Sequence, residues 1–251
     1  MSHVSYRRES YSAETDYVVV GSGAGGATAA VELARGGARV TLVEAGAWRD
    51  PEHYPHSVYG ALHHLFDDWG SLVARGRALW PIVQGRCVGG TTVINSAICV
   101  RTPEDIFTSW ERAHGLSGLK EPVLRHQEAI EEELCASVVP STSAGRGSEL
   151  ALLGAQRIGY ESHIMTRYAK GCLGTGQCLQ GCRSLRKQSL NLNYVPEVLA
   201  RGGSVLSCAP AERILFQGRR AIGVRETFRH PLTRRAGGRF EVRASKAVVV
   251  A

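Results

Sequence analysis

No stretch of this 251-residue sequence approaches the roughly 18–20 consecutive apolar residues that a membrane-spanning helix requires. Residues 1–13 are polar and carry Arg7, Arg8 and Glu9 where a secretory signal would have its apolar core. Cysteine is sparse and odd in number, seven in all, with no Cys-x-x-Cys pair; this argues against a disulfide scaffold and fits a reducing compartment. Internal repeats and low-complexity tracts are absent as well. A composition 43% hydrophobic and 21% charged excludes a disordered chain, and the length suits one large domain or two small ones with a proper core. The expectation is a cytoplasmic protein with no membrane span.

The net charge of +7 is unevenly spread. Residues 1–125 hold 12 basic and 13 acidic side chains, whereas residues 126–251 hold 18 basic and 10 acidic ones. From Arg201 onward, 11 basic residues face only Glu212, Glu226 and Glu241. A cationic strip of this kind attracts phosphates or an acidic partner. Zinc-finger spacing, basic-zipper heptads and RNA-recognition aromatics are all missing, so nucleic-acid binding is not expected.

Residues 16–46 read as a complete βαβ unit. The β-branched run 17–20 suits a buried parallel strand and leads straight into Gly21-Ser22-Gly23-Ala24-Gly25-Gly26. An alanine-rich helix follows to Arg35, Gly36-Gly37 end it, and residues 39–43 form a second strand stopping at Glu44. Gly21, Gly23 and Gly26 satisfy the G-x-G-x-x-G spacing, with Glu44 18 residues after Gly26. Gly21 permits the tight turn, Gly23 lets a pyrophosphate approach the backbone, and Gly26 lets helix and strands pack closely. The helix N-terminus offers unpaired N–H groups to phosphates, and Glu44 is placed to accept from a ribose 2′-hydroxyl, which disfavours NADP. The fold class is therefore α/β, a Rossmann-like FAD/NAD(P)-binding fold with a parallel sheet. This motif alone leaves FAD and NAD open.

Residues 84–101 add a second signal: Gly89-Gly90-Thr91-Thr92-Val93-Ile94-Asn95 puts two glycines, two hydroxyls and an amide in one loop. Such a loop can meet phosphates and a flat polar ring, since the Asn95 amide both donates and accepts. With Glu44-Ala45-Gly46 and Val100-Arg101-Thr102-Pro103-Glu104-Asp105, this run resembles the glucose-methanol-choline (GMC) oxidoreductases, FAD-dependent enzymes acting on alcohols. The likeness resumes at Gly181-Cys182, Lys187-Gln188-Ser189 and Tyr194-Val195-Pro196. It implies FAD as cofactor, with Gly21, Gly23 and Gly26 on the pyrophosphate and Glu44 on the adenosine ribose. Gly90 and Thr91 would line the phosphate and ribityl region, Asn95 would sit beside the isoalloxazine ring with Ile98 beyond it, and the backbone of Ala211 would meet the adenine. Ala24, Gly25, Ala45 and Gly89 are further cofactor-binding positions on the same grounds.

The rest of the chain reads as a polar tail over 1–15, a helical, cysteine-containing insertion over 112–200 and a β-meander with a returning strand over 204–251. Amphipathic helices are expected at 121–138 and 148–160, and strands at 205–209, 212–216, 221–226 and 239–244, separated by Pro210, Gly218 and Gly237-Gly238. The resemblance further implies a C-terminal substrate domain carrying a catalytic histidine. None of the nine histidines falls in a matching motif, so no catalytic residue is assigned. Alcohol oxidation needs a base for the hydroxyl proton while hydride moves to flavin N5, and the chain alone is expected to be catalytically incomplete.

Cys172, Cys178 and Cys182 have ligand-like spacing, open to three readings: an iron–sulfur site, a redox pair or disulfide, and inert thiols. The leading functional expectation is the FAD-binding part of an oxidoreductase acting on CH–OH groups of alcohol or sugar donors. Its small-molecule alcohol would be met through the missing domain. The alternatives are a non-catalytic FAD-binding or assembly fragment needing a second chain, and an FAD/NAD-linked reductase. Absence of a second G-x-G-x-x-G unit counts against the reductase.

Overall fold

The computed structural model describes residues 2–251. In chain order the elements are β1 (Ser2–Val4), β2 (Tyr11–Val20), α1 (Ala24–Arg35), β3 (Val40–Val43), α2 (Val58–His64), β4 (Val73–Arg75), β5 (Leu79–Pro81) and α3 (Glu104–His114). They continue with α4 (Lys120–Glu133), β6 (Ala136–Val138), α5 (Arg146–Arg157), β7 (Thr166–Tyr168), α6 (Tyr194–Ala200), β8 (Ser204–Leu206), β9 (Arg213–Gln217), β10 (Arg220–Arg229) and β11 (Ala236–Val250). The chain divides into two compact units, one of residues 2–95, 177–185 and 189–251, the other of residues 96–176 and 186–188.

The first unit is built on the β-branched runs. Val18, Val19 and the whole of β3 are buried, as strands covered on both faces must be. They lie in a seven-stranded sheet of order β1-β8-β3-β2-β11-β10-β9, parallel from β1 to β11 and antiparallel from β11 to β9. Tyr17 pairs with Val40 and Val20 with Val43, so β2 and β3 end level and their following loops share one edge of the sheet. Helix α1 crosses between them, burying Gly26, Ala27, Ala30, Val31 and Ala34. Arg35 joins it to α6 through both carboxylate oxygens of Glu197, at 2.9 and 2.8 Å. Val18, Val43, Leu206, Val224, Phe228, Phe240 and Val242 form one core cluster beneath the strands.

In the second unit, β6 and β7 pair antiparallel, and Arg101 holds Glu131 at 2.8 Å beside helix α4. Amphipathic α3, with Phe107 buried, is stopped by Gly115 in the left-handed conformation.

Five sequence expectations change. The expected tail over 1–15 is, over its described residues 2–15, part of the sheet: β1 extends it beside β8, and β2 begins at Tyr11, where alternate residues of the YSAET segment are more deeply buried. The run 205–209 joins the parallel part of the sheet, not the meander, which consists of β9, β10 and β11. The strand at 239–244 and the returning strand are one continuous β11, and a register shift between Ala244 and Ala247 carries it past Lys246. The helix expected over 121–138 ends at Glu133, because Cys135 takes a left-handed φ of 51° and the chain turns into β6. The insertion also has different edges, since residues 96–111 belong to the second unit and α6 to the first.

Gly26 is the tightest point of the βαβ unit: a Cβ there would stand 1.9 Å from the Gly21 carbonyl oxygen. One at Gly25 would only touch the Ala251 side chain at 3.7 Å. In urea unfolding, Gly26→Ala is expected to lose about 3 kcal/mol through overpacking, and Gly25→Ala to stay within about 0.5 kcal/mol of the parent. Equal effects of the two substitutions would refute this account of the turn.

Candidate functional site: a dinucleotide cleft at the strand ends

The loops that follow β2 and β3 open onto a cavity of about 420 Å³. Its walls include Gly21, Gly23, Ala24, Gly25 and Gly26 from the glycine turn and Glu44 and Ala45 from the end of β3. Gln84, Gly85, Arg86, Gly90 and Thr91 add the second glycine loop, and Pro210, Ala211 and Glu212 the segment after β8. Ligands in open α/β sheets bind at such carboxyl ends of parallel strands.

The cleft has the chemistry of an anion site at one end. Helix α1 has no side-chain cap and no acidic residue in its first turn, so its leading N–H groups and partial positive charge are left for a ligand. A Cβ on Gly23 would meet nothing within 4 Å, so a hydrogen is all that separates this backbone from open space in the cleft. Both features suit the close approach of a pyrophosphate.

Glu44 is only 6% exposed and collects three donors. The Ser22 amide and hydroxyl donate to Oε2 at 3.0 and 2.6 Å, and the Gly46 amide donates to Oε1 at 2.7 Å. The Ser22 hydroxyl oxygen in turn accepts from the Gly89 amide at 3.0 Å. Burial pushes the Glu44 carboxyl above its ordinary range, while these hydrogen bonds and nearby Arg86 pull it down. A carboxylate offers about four acceptor sites, and three of them are filled here.

The second glycine loop is pressed against the first. Gly89 and Gly90 have φ of 94° and 54°, and a Cβ on Gly90 would lie 2.7 Å from the Gly23 Cα. A short 3₁₀ turn, Gly90–Val93, follows. Thr91 Oγ1 accepts from the Gly85 amide at 3.1 Å. Thr92 donates to the Gly89 carbonyl at 2.6 Å and accepts from the Leu190 amide at 3.1 Å, bracing the loop from behind.

Of the thirteen positions expected at the cofactor, the structure brings ten to this one cavity: Gly21, Gly23, Ala24, Gly25, Gly26, Glu44, Ala45, Gly90, Thr91 and Ala211. Gly89 does not line the cavity but holds Ser22 from behind. Asn95 lies exposed just past the 3₁₀ turn, its backbone N–H donating to the Thr91 carbonyl at 2.9 Å, and Ile98 belongs to the second unit, bridged to Arg167. Sequence reading missed Ser22, whose hydroxyl between two glycines was the available signal. It also missed Arg86, which faces the cleft and holds Asp67 at 3.1 Å. All seven cysteines are thiols; Cys172 lies in the second unit and Cys178 and Cys182 in the first. Among the described residues, the set of three possible metal ligands within reach of one another is exposed Asp50, Glu52 and His53, and the cysteines form none.

The sequence model of the GMC oxidoreductase family matches residues 15–251. An uncharacterized GMC-type oxidoreductase of Mycobacterium tuberculosis is 39% identical over 213 residues, spanning 84% of this chain and 34% of that protein. The long-chain-alcohol oxidase FAO1 of Arabidopsis thaliana is 26% identical over 209 residues, 83% of this chain and 27% of that one. Among solved structures, pyridoxine 4-oxidase from Mesorbium loti superposes with a TM-score of 0.65 at 17% identity, over 94% of this chain and 49% of that chain. An FAD-dependent oxidoreductase from Chaetomium thermophilum gives 0.63 at 19% identity, over 94% and 45%. The chain thus spans about a third of the length of the curated relatives it matches. With its βαβ unit and second glycine loop inside the matched region, the chain belongs to the GMC oxidoreductase family, and the cofactor of this domain is FAD.

Proposed function

We propose that this chain forms the FAD-binding part of an oxidoreductase acting on CH–OH groups of small alcohol or sugar donors. The observation that carries the reading is the single cavity gathering an uncapped helix N-terminus, the open face of Gly23 and the buried Glu44 carboxylate. Bound FAD supplies the two-electron acceptor for the hydride that leaves the alcohol carbon. In this assignment the first N–H groups of α1 hold the pyrophosphate, and the vacant acceptor position on Glu44 orients the adenosine ribose. Thr91, exposed on the cleft wall, contacts the chain of the cofactor between them. Asn95 and Ile98 are assigned to the flavin end by family resemblance.

No histidine is among the cavity's lining residues. We assign the base that accepts the alcohol proton to the part of the relatives' length that this chain does not span. Long-chain-alcohol oxidases among those relatives make an alcohol the substrate class to test first.

The purified chain should take up FAD, show flavin absorption in the visible and release FAD on denaturation; a folded chain that takes up none overturns the reading. Gly23→Ala should leave urea stability unchanged and weaken FAD binding about tenfold or more, some 1.4 kcal/mol, because the new methyl enters the cleft and no protein group. A third expectation concerns pH. A ribose hydroxyl donates to ionised Glu44, whereas burial raises the carboxyl's proton affinity, so protons compete with the cofactor. FAD affinity should therefore fall as pH is lowered through the raised Glu44 pKa. Titration calorimetry on Glu44→Gln should show binding weaker by about 2 kcal/mol and lacking that acid-side loss. An identical pH profile in both proteins would remove Glu44 from the cofactor.

A further inference from the structure

The basic excess of the C-terminal half is not used by the FAD cleft, and part of it is gathered on one face of the meander. Arg225 on β10 stands directly opposite Arg213 on β9, and on its other side directly opposite Glu241 on β11. The next rung of the same face pairs Thr227 with Arg239. Side chains two apart on a strand share a face; directly opposite Cβ atoms lie about 5 Å apart and diagonal neighbours about 7 Å. Three guanidinium groups are thus held within one small area of rigid sheet.

Like charges directly opposite one another destabilise a sheet, and the local acids do not resolve this. Glu241 is engaged by Arg243 at 2.7 Å and reaches Arg225 only at 3.9 Å. Among the described residues, Arg213 and Arg239 form no salt bridge. Arg213, Arg225, Thr227 and Arg239, together with the single acid Glu226, line a concavity of about 290 Å³. Three arginines and a threonine hydroxyl, set against Glu226 in the lining and Glu241 opposite Arg225, leave an excess of positive charge that suits a compact anion. Guanidinium forks match the tetrahedral oxygens of a phosphoryl group in charge and in geometry.

We propose that this face of the meander binds a phosphoryl group, either as a free phosphate or as the headgroup of a lipid. The ligand relieves the Arg213–Arg225 repulsion, so its binding is coupled directly to the stability of the sheet. This site is separate from the cofactor cleft, with which it shares no lining residue, and it does not depend on the reading of that cleft.

The test is thermal unfolding of the chain in saturating FAD, which keeps the pyrophosphate end of the cleft filled, with inorganic phosphate added against sodium chloride of matched ionic strength. Phosphate should raise the midpoint saturably by about 3 °C. Arg213→Gln should abolish that rise, and in phosphate-free buffer it should unfold no earlier than the parent, because the repelling pair is gone. Arg239→Gln should abolish the rise as well. Co-sedimentation with phosphatidylcholine vesicles, with and without phosphatidic acid, separates the sources. A phosphate-induced rise places the ligand in solution, and arginine-dependent sedimentation without such a rise places it on a lipid. An equal rise in chloride, a rise that survives both substitutions, or no response in either arm overturns the proposal.

Discussion

The site depends on a chain of two hydrogen bonds that runs from the Gly89 amide to the Ser22 hydroxyl and from that hydroxyl to Glu44 Oε2. Three segments far apart in sequence meet there: the turn after β2, the end of β3 and the second glycine loop. Each link is buried, so its strength is not shared with water, and each broken link would leave a polar group without compensation. The Ser22 hydroxyl has one proton and gives it to the carboxylate, which leaves its oxygen free to accept from Gly89. That polarity orders the whole chain. Glu44 therefore closes the loops from one side while it lines the cleft on the other.

The two glycine loops are closely packed against each other. Gly90 cannot carry a side chain because the Gly23 Cα occupies the space, and Gly26 cannot because the Gly21 carbonyl does. Gly23 differs from both, since nothing of the protein stands where its Cβ would be. The three glycines of the fingerprint and the pair in the second loop thus do separate jobs that a sequence pattern presents as one. Three of the five positions, Gly21, Gly26 and Gly90, are closed by backbone, while a Cβ on Gly23 would meet no protein atom within 4 Å.

What was legible in the sequence follows from how local its cause was. The βαβ unit could be read because β-branched runs, alanine periodicity and glycine punctuation each act within a few residues. The cleft positions followed because the family resemblance covered those same short runs. Ser22 was passed over because its role exists only once Gly89 arrives from 67 residues away. The polar N-terminal segment was misread for the same reason. Its alternation is short and mixed, and strand β1 forms only because β8 offers an unpaired parallel edge, residue against residue from Ser2–Ser204 to Val4–Leu206. Helix α4 stops early at a backbone conformation of Cys135 that no residue type nearby announces.

Strand β11 joins the two kinds of sheet, and its irregularity is what allows this. Its first half lies antiparallel to β10, from Ala236 opposite Arg229 to Arg243 opposite Gly223. Beyond that point β10 has turned away, and pairing continues with β2 alone, from Ala247 opposite Tyr17 to Val250 opposite Val20. The register shift between Ala244 and Ala247 resets which residues face the core, so Val242 and Ala244 stay buried before it while Lys246 passes outside. A regular strand of this length would keep a single alternation and force a charged residue inward or a valine outward. The bulge lets one strand carry Arg239 on the meander face at one end and bring Ala251 to the wall of the dinucleotide cleft at the other.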